Sequence, residues 1–157
     1  MNRQTKNWII FAIASYIIMF MLIPLKKGPR ISGFGFYLGF VQAVILNFIA
    51  VKKYKLWKIP GDVVIKGIPI LTCISWIPPS IIYAYYYPYG KKLSWKTGYI
   101  LLFALGTTIF QYIQGLIGMW ESKKWKPIYT FPLAIVTHTI MSMFLPLFKL
   151  NNIRENN

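Results

Sequence analysis

Acidic side chains are almost missing: Asp62, Glu121 and Glu155 are the only carboxylates in 157 residues. Chemistry that needs two carboxylates in one site, such as aspartyl proteolysis or glycoside hydrolysis, is excluded, because these three fall near the ends of apolar segments or in the tail. One histidine, His138, and one cysteine, Cys73, cannot supply the three or four ligands of a zinc site, and a lone thiol forms no intrachain disulfide. The chain has no GxSxG elbow, no phosphate loop and no Gly-rich strand-to-helix turn. A dyad of Ser75 or Ser142 with His138 stays open on sequence alone, but the expectation is a protein without metal, cofactor or catalysis.

Charge of either sign is also scarce, at 13% against roughly 25% in a soluble domain. Apolar residues reach 56% and arrive in long blocks separated by short basic clusters. That pattern predicts an all-α polytopic transmembrane helix bundle in which 1–157 is a single membrane domain. About five spans are expected, at 8–25, 32–51, 63–86, 97–120 and 128–147. The first run is longer than the 7–15 residues of a signal core and no small-residue cleavage pattern precedes Lys26, so it reads as a retained span. No connecting segment is long enough for an aqueous domain.

The net charge of +15 does not form one basic face or arm, which argues against nucleic acid. The cations sit between apolar blocks, where a bilayer with anionic headgroups attracts each by about 1 kcal/mol. In the segment KKYKLWKIPGD, Lys52, Lys53, Tyr54, Lys55, Trp57 and Lys58 have the alternation of an interfacial loop, with rings among the headgroups and ammonium groups reaching water. Trp95, Trp120 and Trp125 are expected at the same depth beside their spans, and the run YAYYYPY reads as an aromatic belt. Asp62 reads as an N-cap for the third span, and Glu121 as an interfacial carboxylate paired with nearby lysines. Five spans divide the eighteen cations ten to eight, with the ten on the N-terminal side, so the weak asymmetry favours a cytoplasmic N-terminus. Lys far exceeds Arg, and Ile and Asn are abundant, a bias of AT-rich bacterial genomes.

Each inner span carries its own signal. In the second, Gly35, Gly39 and Ala43 recur every four residues, the spacing that lets helix backbones approach closely. Asn47 continues that row and Gln42 lies on the same side. The partner is either a neighbouring helix of the same chain or, as the alternative, a second copy or another membrane protein. In the third, Pro69, Pro78 and Pro79 are expected to kink or break the helix, with Thr72 and Ser75 on the exposed carbonyls. In the fourth, Ala104, Thr107, Gln111, Gln114 and Gly118 fall within about 80° of one helical face, with Gly118 as a packing position. Hydrocarbon offers amides no partners, so this stripe must face protein or water. In the fifth, His138 lies near the middle and is expected buried and neutral, or else meeting Gln111 or Gln114.

The stretches YKLWKIPGD, SWIPPSIIYAYYYPY and GMWESKKWKP together resemble a family of small uncharacterised multi-pass membrane proteins from spore-forming Gram-positive bacteria. The resemblance runs from about Lys52 to Ser142 and implies a multi-pass bacterial architecture but no activity. Members of that family often carry an acidic residue in the fourth span where this chain has Gln111 or Gln114, and that departure argues against a proton relay here. Two functions are expected. The first is a non-catalytic protein of a bacterial cytoplasmic membrane acting through helix and lipid contacts, in an accessory, immunity-type or envelope-assembly role. The second is a small transporter or channel whose path is lined by Gln42, Thr72, Ser75, Thr107, Gln111, Gln114 and His138.

Overall fold

The computed structural model describes residues 3–150, apart from the side chains of Leu25 and Arg30. The polar tail after Leu150, with Arg154 and Glu155, lies outside the described residues. The chain is mostly helical, and four helices are long and apolar enough to cross a membrane: Arg3–Leu22, Ile31–Lys53, Leu93–Leu116 and Pro127–Phe148.

Helix α1 spans Arg3–Leu22. The next helix is continuous from 28 to 53 and alternates its winding: α2 (Gly28–Phe34), a π-helical stretch (Gly35–Val41), α3 (Gln42–Asn47) and a second π-helical stretch (Phe48–Lys53). The wider turns are visible in the bonds themselves, as Tyr54 N–H reaches Ile49 C=O, five residues back, at 2.9 Å.

The third block does not begin as a helix at Val63. Its first residues form a hairpin of β2 (Val64–Ile65) and β3 (Ile68–Pro69), closed by Lys66 and Gly67 with φ of 52° and 86°. Two positive-φ residues between β-branched neighbours make the two-residue turn that suits the twist of paired strands. Helix follows only at α4 (Ile70–Ser75) and α5 (Ile77–Tyr86), with Trp76 between them. Pro69 therefore kinks nothing: it is the extended N-cap residue of α4, at φ −75° and ψ 111°. Pro78 and Pro79 stand in the first turn of α5, where a missing N–H deprives the helix of little.

Helix α6 runs Leu93–Leu116, starting and ending about four residues before the expected span. It ends because Gly118 takes a left-handed φ of 74°, which lets Met119 N–H return to Gln114 C=O at 2.9 Å. Gly118 is a turn residue with open space around its Cα, and not a helix-packing position as the face pattern predicts. Helix α7 covers Thr130–Phe144, with single-turn extensions on both sides.

Packing divides the bundle into two parts. Helix α5 lies against the 28–53 helix, and α1 covers α4 and α5. Helices α6 and α7 form a hairpin of their own. At one end of the bundle, called the far end below, the parts are joined by aromatic rings. Tyr83 is fully buried with its ring centroid 5.0 Å from Phe103 and 5.2 Å from Tyr99. Tyr83 and Tyr87 are thus core residues and not belt residues. Burial, with a smaller push from Tyr87, raises the Tyr89 phenol, which stays protonated and donates to Ala84 C=O at 3.0 Å.

At the opposite, near end, the loops 54–69 and 117–129 build a cap. Strand β1 (Trp57–Lys58) pairs antiparallel with β4 (Glu121–Ser122), Thr5 Oγ donates to Gly61 C=O at 2.7 Å, and Trp8 Nε1 donates to Pro60 C=O at 3.1 Å. Under it Trp8, Ile59, Met119 and Trp120 form a small core of their own. Asp62 caps a helix as expected, but the helix is α4: its carboxylate accepts from Leu71 N–H and Thr72 N–H, both at 2.8 Å, and from the Thr72 hydroxyl at 2.5 Å.

Candidate functional site

The polar residues of four segments converge on one cavity. Gln42 from the 28–53 helix, Thr72 from α4, Thr107, Gln111 and Gln114 from α6, and His138 from α7 all line a space of about 130 Å³ between the two parts of the bundle. A single water needs only about 10–15 Å³ measured this way, so the space holds several or a small solute group. Ser75 is the one expected lining residue that lies outside it. Its hydroxyl donates to Leu71 C=O at 2.7 Å within its own helix, and it borders the adjoining groove instead.

The hydrogen bonding of this cavity is incomplete. Gln42 Nε2 donates to Thr137 C=O at a long 3.4 Å, while Gln42 Oε1 is buried without a partner among the described residues. No hydrogen bond joins the side-chain amide of Gln111 or Gln114 to another described residue. The imidazole of His138 is 4% exposed and its Nδ1 lies 2.7 Å from Ala134 C=O, so that nitrogen carries the proton and Nε2 is left as an acceptor. Cross-helix bonding at His138 is made by its backbone, which accepts the Tyr83 hydroxyl at 3.0 Å, and not by its ring. The cavity thus offers free donors and acceptors without one charged side chain in its wall.

The walls explain why it stays open. Gly35 meets the Ile81 side chain, and a Cβ built on Gly39 would stand 2.7 Å from Trp76 C=O, so the 28–53 helix and α5 touch backbone to backbone. Ala43 is buried beside that contact and Asn47 Nδ2 bonds Ala43 C=O at 2.9 Å, with Cys73 Sγ at 3.7 Å on α4. Of the small residues expected to pack, Gly35 and Gly39 meet a neighbouring helix of the same chain and Ala43 is buried beside them. Drawing these helices together leaves the amide side chains of Gln42 and α6 facing each other across a gap.

The interfacial residues separate into two groups. Lys52, Lys53, Tyr54, Lys55 and Lys58 are outward-facing at the near end, with the Lys53 ammonium 5.3 Å from the Tyr54 ring, and Trp95 is 67% exposed at the far end. Trp57, Trp120 and Trp125 instead cluster in the cap, with the Trp57 ring tilted against Trp120 at 6.1 Å and edge-to-face with Trp125 at 5.3 Å. Trp120 is buried and closed to headgroups, contrary to expectation, because pairing of β1 with β4 folds its loop over the bundle. Glu121 pairs with Lys123 at 3.1 Å on the surface, as its position suggests.

Trp8, Trp76 and Thr137 also line the cavity and carry no signal in the sequence that separates them from other apolar or hydroxyl positions. No group of three or more metal-ligating side chains occurs among the described residues. No family model, curated protein or solved structure matches this chain. What fold and site define is a class: a helical protein with four helices long and apolar enough to cross a membrane and an uncharged polar cavity between its helices.

Proposed function

We propose that this is a non-catalytic five-span protein of a bacterial cytoplasmic membrane, related to the small multi-pass proteins it resembles, which holds an uncharged hydrogen-bonding group inside its bundle. The reading rests on one observation: Gln42 Oε1 is buried without a partner where Gln111 and Gln114 also line the wall. An unpaired buried polar group costs about 1–3 kcal/mol, so the Gln42 oxygen, across the gap from the partly exposed amides of Gln111 and Gln114, favours something bound there, water or ligand. An accessory role through binding fits this better than packing alone, because a packed polar seam would pair its amides across helices.

The crossing that the four long helices leave out is the third, broken one. Pairing of β1 with β4 supports a shared side for the loops 54–69 and 117–129, and α6, about 36 Å long, leads from there to the other side at Leu93. The chain between must then cross through α4 and α5. Its interruption at Trp76 is covered by α1 and the 28–53 helix, as lipid requires of irregular backbone. Ions suit the cavity poorly. Asp62 is committed to capping α4 and Glu121 to Lys123, so no carboxylate ring lines a path for cations.

Cysteine accessibility tests the reading, since the native Cys73 is fully buried. Gln111→Cys and Gln114→Cys in membranes are expected to react with methyl methanethiosulfonate, which is small, uncharged and crosses lipid as well as water, at least tenfold faster than the outward-facing Leu105→Cys, because the reactive thiolate forms only where water collects. Equal and negligible reaction at all three positions would mean a dry seam and would overturn the proposal.

A further inference from the structure

The polar cavity has a neighbour. A groove of about 490 Å³ lies between α1 and α6 with α4 and α5 as its floor, and Trp8, Thr72, Trp76, Thr107, Phe110 and Gln114 belong to the walls of both spaces. Along α1 it extends from Trp8 to Ile18, which is about 15 Å of membrane depth. Its sides are hydrocarbon and aromatic, with Phe11, Ile18, Leu102 and Phe103 prominent, and neither space has a charged residue in its wall. Gly106 opens it: a Cβ there would meet nothing within 4 Å. The cap closes the other approach, because Trp57, Ile59 and Trp120 roof the polar cavity at the near end.

Taking the proposed binding role as its premise, we infer that the ligand is a lipid-like amphiphile with an uncharged hydroxyl- or amide-bearing head. It enters sideways from the bilayer between α1 and α6, its tail in the groove and its head at Gln114 and the polar cavity behind. Chemistry selects this occupant. A plain acyl chain would leave the amides unpaired, and a free polar solute would leave an apolar groove with a polar floor unexplained. A charged head would be stripped of water without a counter-charge, which costs several kcal/mol per ion.

The test uses the full-length protein in detergent with monoolein as the neutral probe and a phosphatidylglycerol as the anionic one, read by native mass spectrometry titration. Wild type is expected to bind one monoolein saturably. Gly106→Leu, which fills the groove from α6, and Ile18→Trp, which fills it from α1, are each expected to weaken that binding at least tenfold while thermal unfolding shows both still folded. Gln114→Leu is expected to weaken it as well. Phosphatidylglycerol is expected to bind all four proteins alike, through the outward lysines. Monoolein binding unchanged in both groove variants, no saturable monoolein at all, or saturable phosphatidylglycerol displaced by groove filling would each overturn the inference. If the cysteine reagent still reaches Gln111→Cys and Gln114→Cys in that case, the polar cavity stands and only the amphiphile fails; if it does not, both fall.

Discussion

At Gly39 a hydrogen stands where any other residue would place a carbon against the backbone of the next helix. The nearest atoms to that carbon are Trp76 C=O at 2.7 Å, Ser80 Oγ at 2.9 Å and Ile77 Cα at 3.0 Å, and two of these belong to main chain that cannot rotate away. Gly39→Ala is therefore expected to destabilise by about 1–3 kcal/mol, the usual cost of overpacking, and Gly39→Ile to abolish the folded bundle. Gly106→Ala is the opposite case, because its side chain would enter open groove and gain about 1 kcal/mol of helix propensity. Thermal unfolding in one detergent compares them. Equal midpoints for the two alanine variants would remove the close contact from the account. The same comparison shows why this part of the fold was legible: a four-residue recurrence of small residues has one physical use in a membrane, and the partner alone was hidden.

Elements were legible where one period ran long and illegible where a short strand or turn interrupted an apolar run. The block VVIKGIPI reads as the start of a span by hydropathy, yet its β-branched flanks around Lys66 and Gly67 are a hairpin signal, and the hairpin won. Asp62 reads as a cap because the residue type demands a donor, but the helix it serves starts eight residues later, across that hairpin. The Gln stripe of α6 was readable from spacing alone; its company of Trp8 and Trp76 required tertiary contact. Because Asp62 bridges hairpin and helix, Asp62→Ala is expected to cost at least the ~1 kcal/mol of a lost N-cap, and Asp62→Asn less, since its amide oxygen still accepts from α4. Thermal midpoints of the three proteins check the order. Asparagine falling below alanine would mean that the carboxylate serves some end other than capping.

At the scale of the whole molecule the cap is the feature on which the proposed five-span topology rests. Helix lengths alone leave α4 and α5 undecided, because six and ten residues are each too short to cross and Trp76 parts them. Strand pairing bears on the matter differently: Lys58 and Glu121 are Cα partners across β1 and β4, so under the proposed membrane reading whichever side holds one holds the other. Directly opposed residues of an antiparallel pair lie about 4.5–5.5 Å apart, within reach of a disulfide. Lys58→Cys with Glu121→Cys, in a Cys73→Ala background, is expected to cross-link on oxidation. Reporter fusions at the two termini are expected on opposite sides, as five crossings require. The two measurements separate the ways of being wrong. Cross-linking with both termini on one side would leave the cap intact but turn α4 and α5 back within the membrane, and the groove floor with them. Termini on opposite sides without cross-linking would keep five crossings while detaching the Trp57 and Trp120 roof, so that the polar cavity would open to water at the near end as well as sideways to lipid.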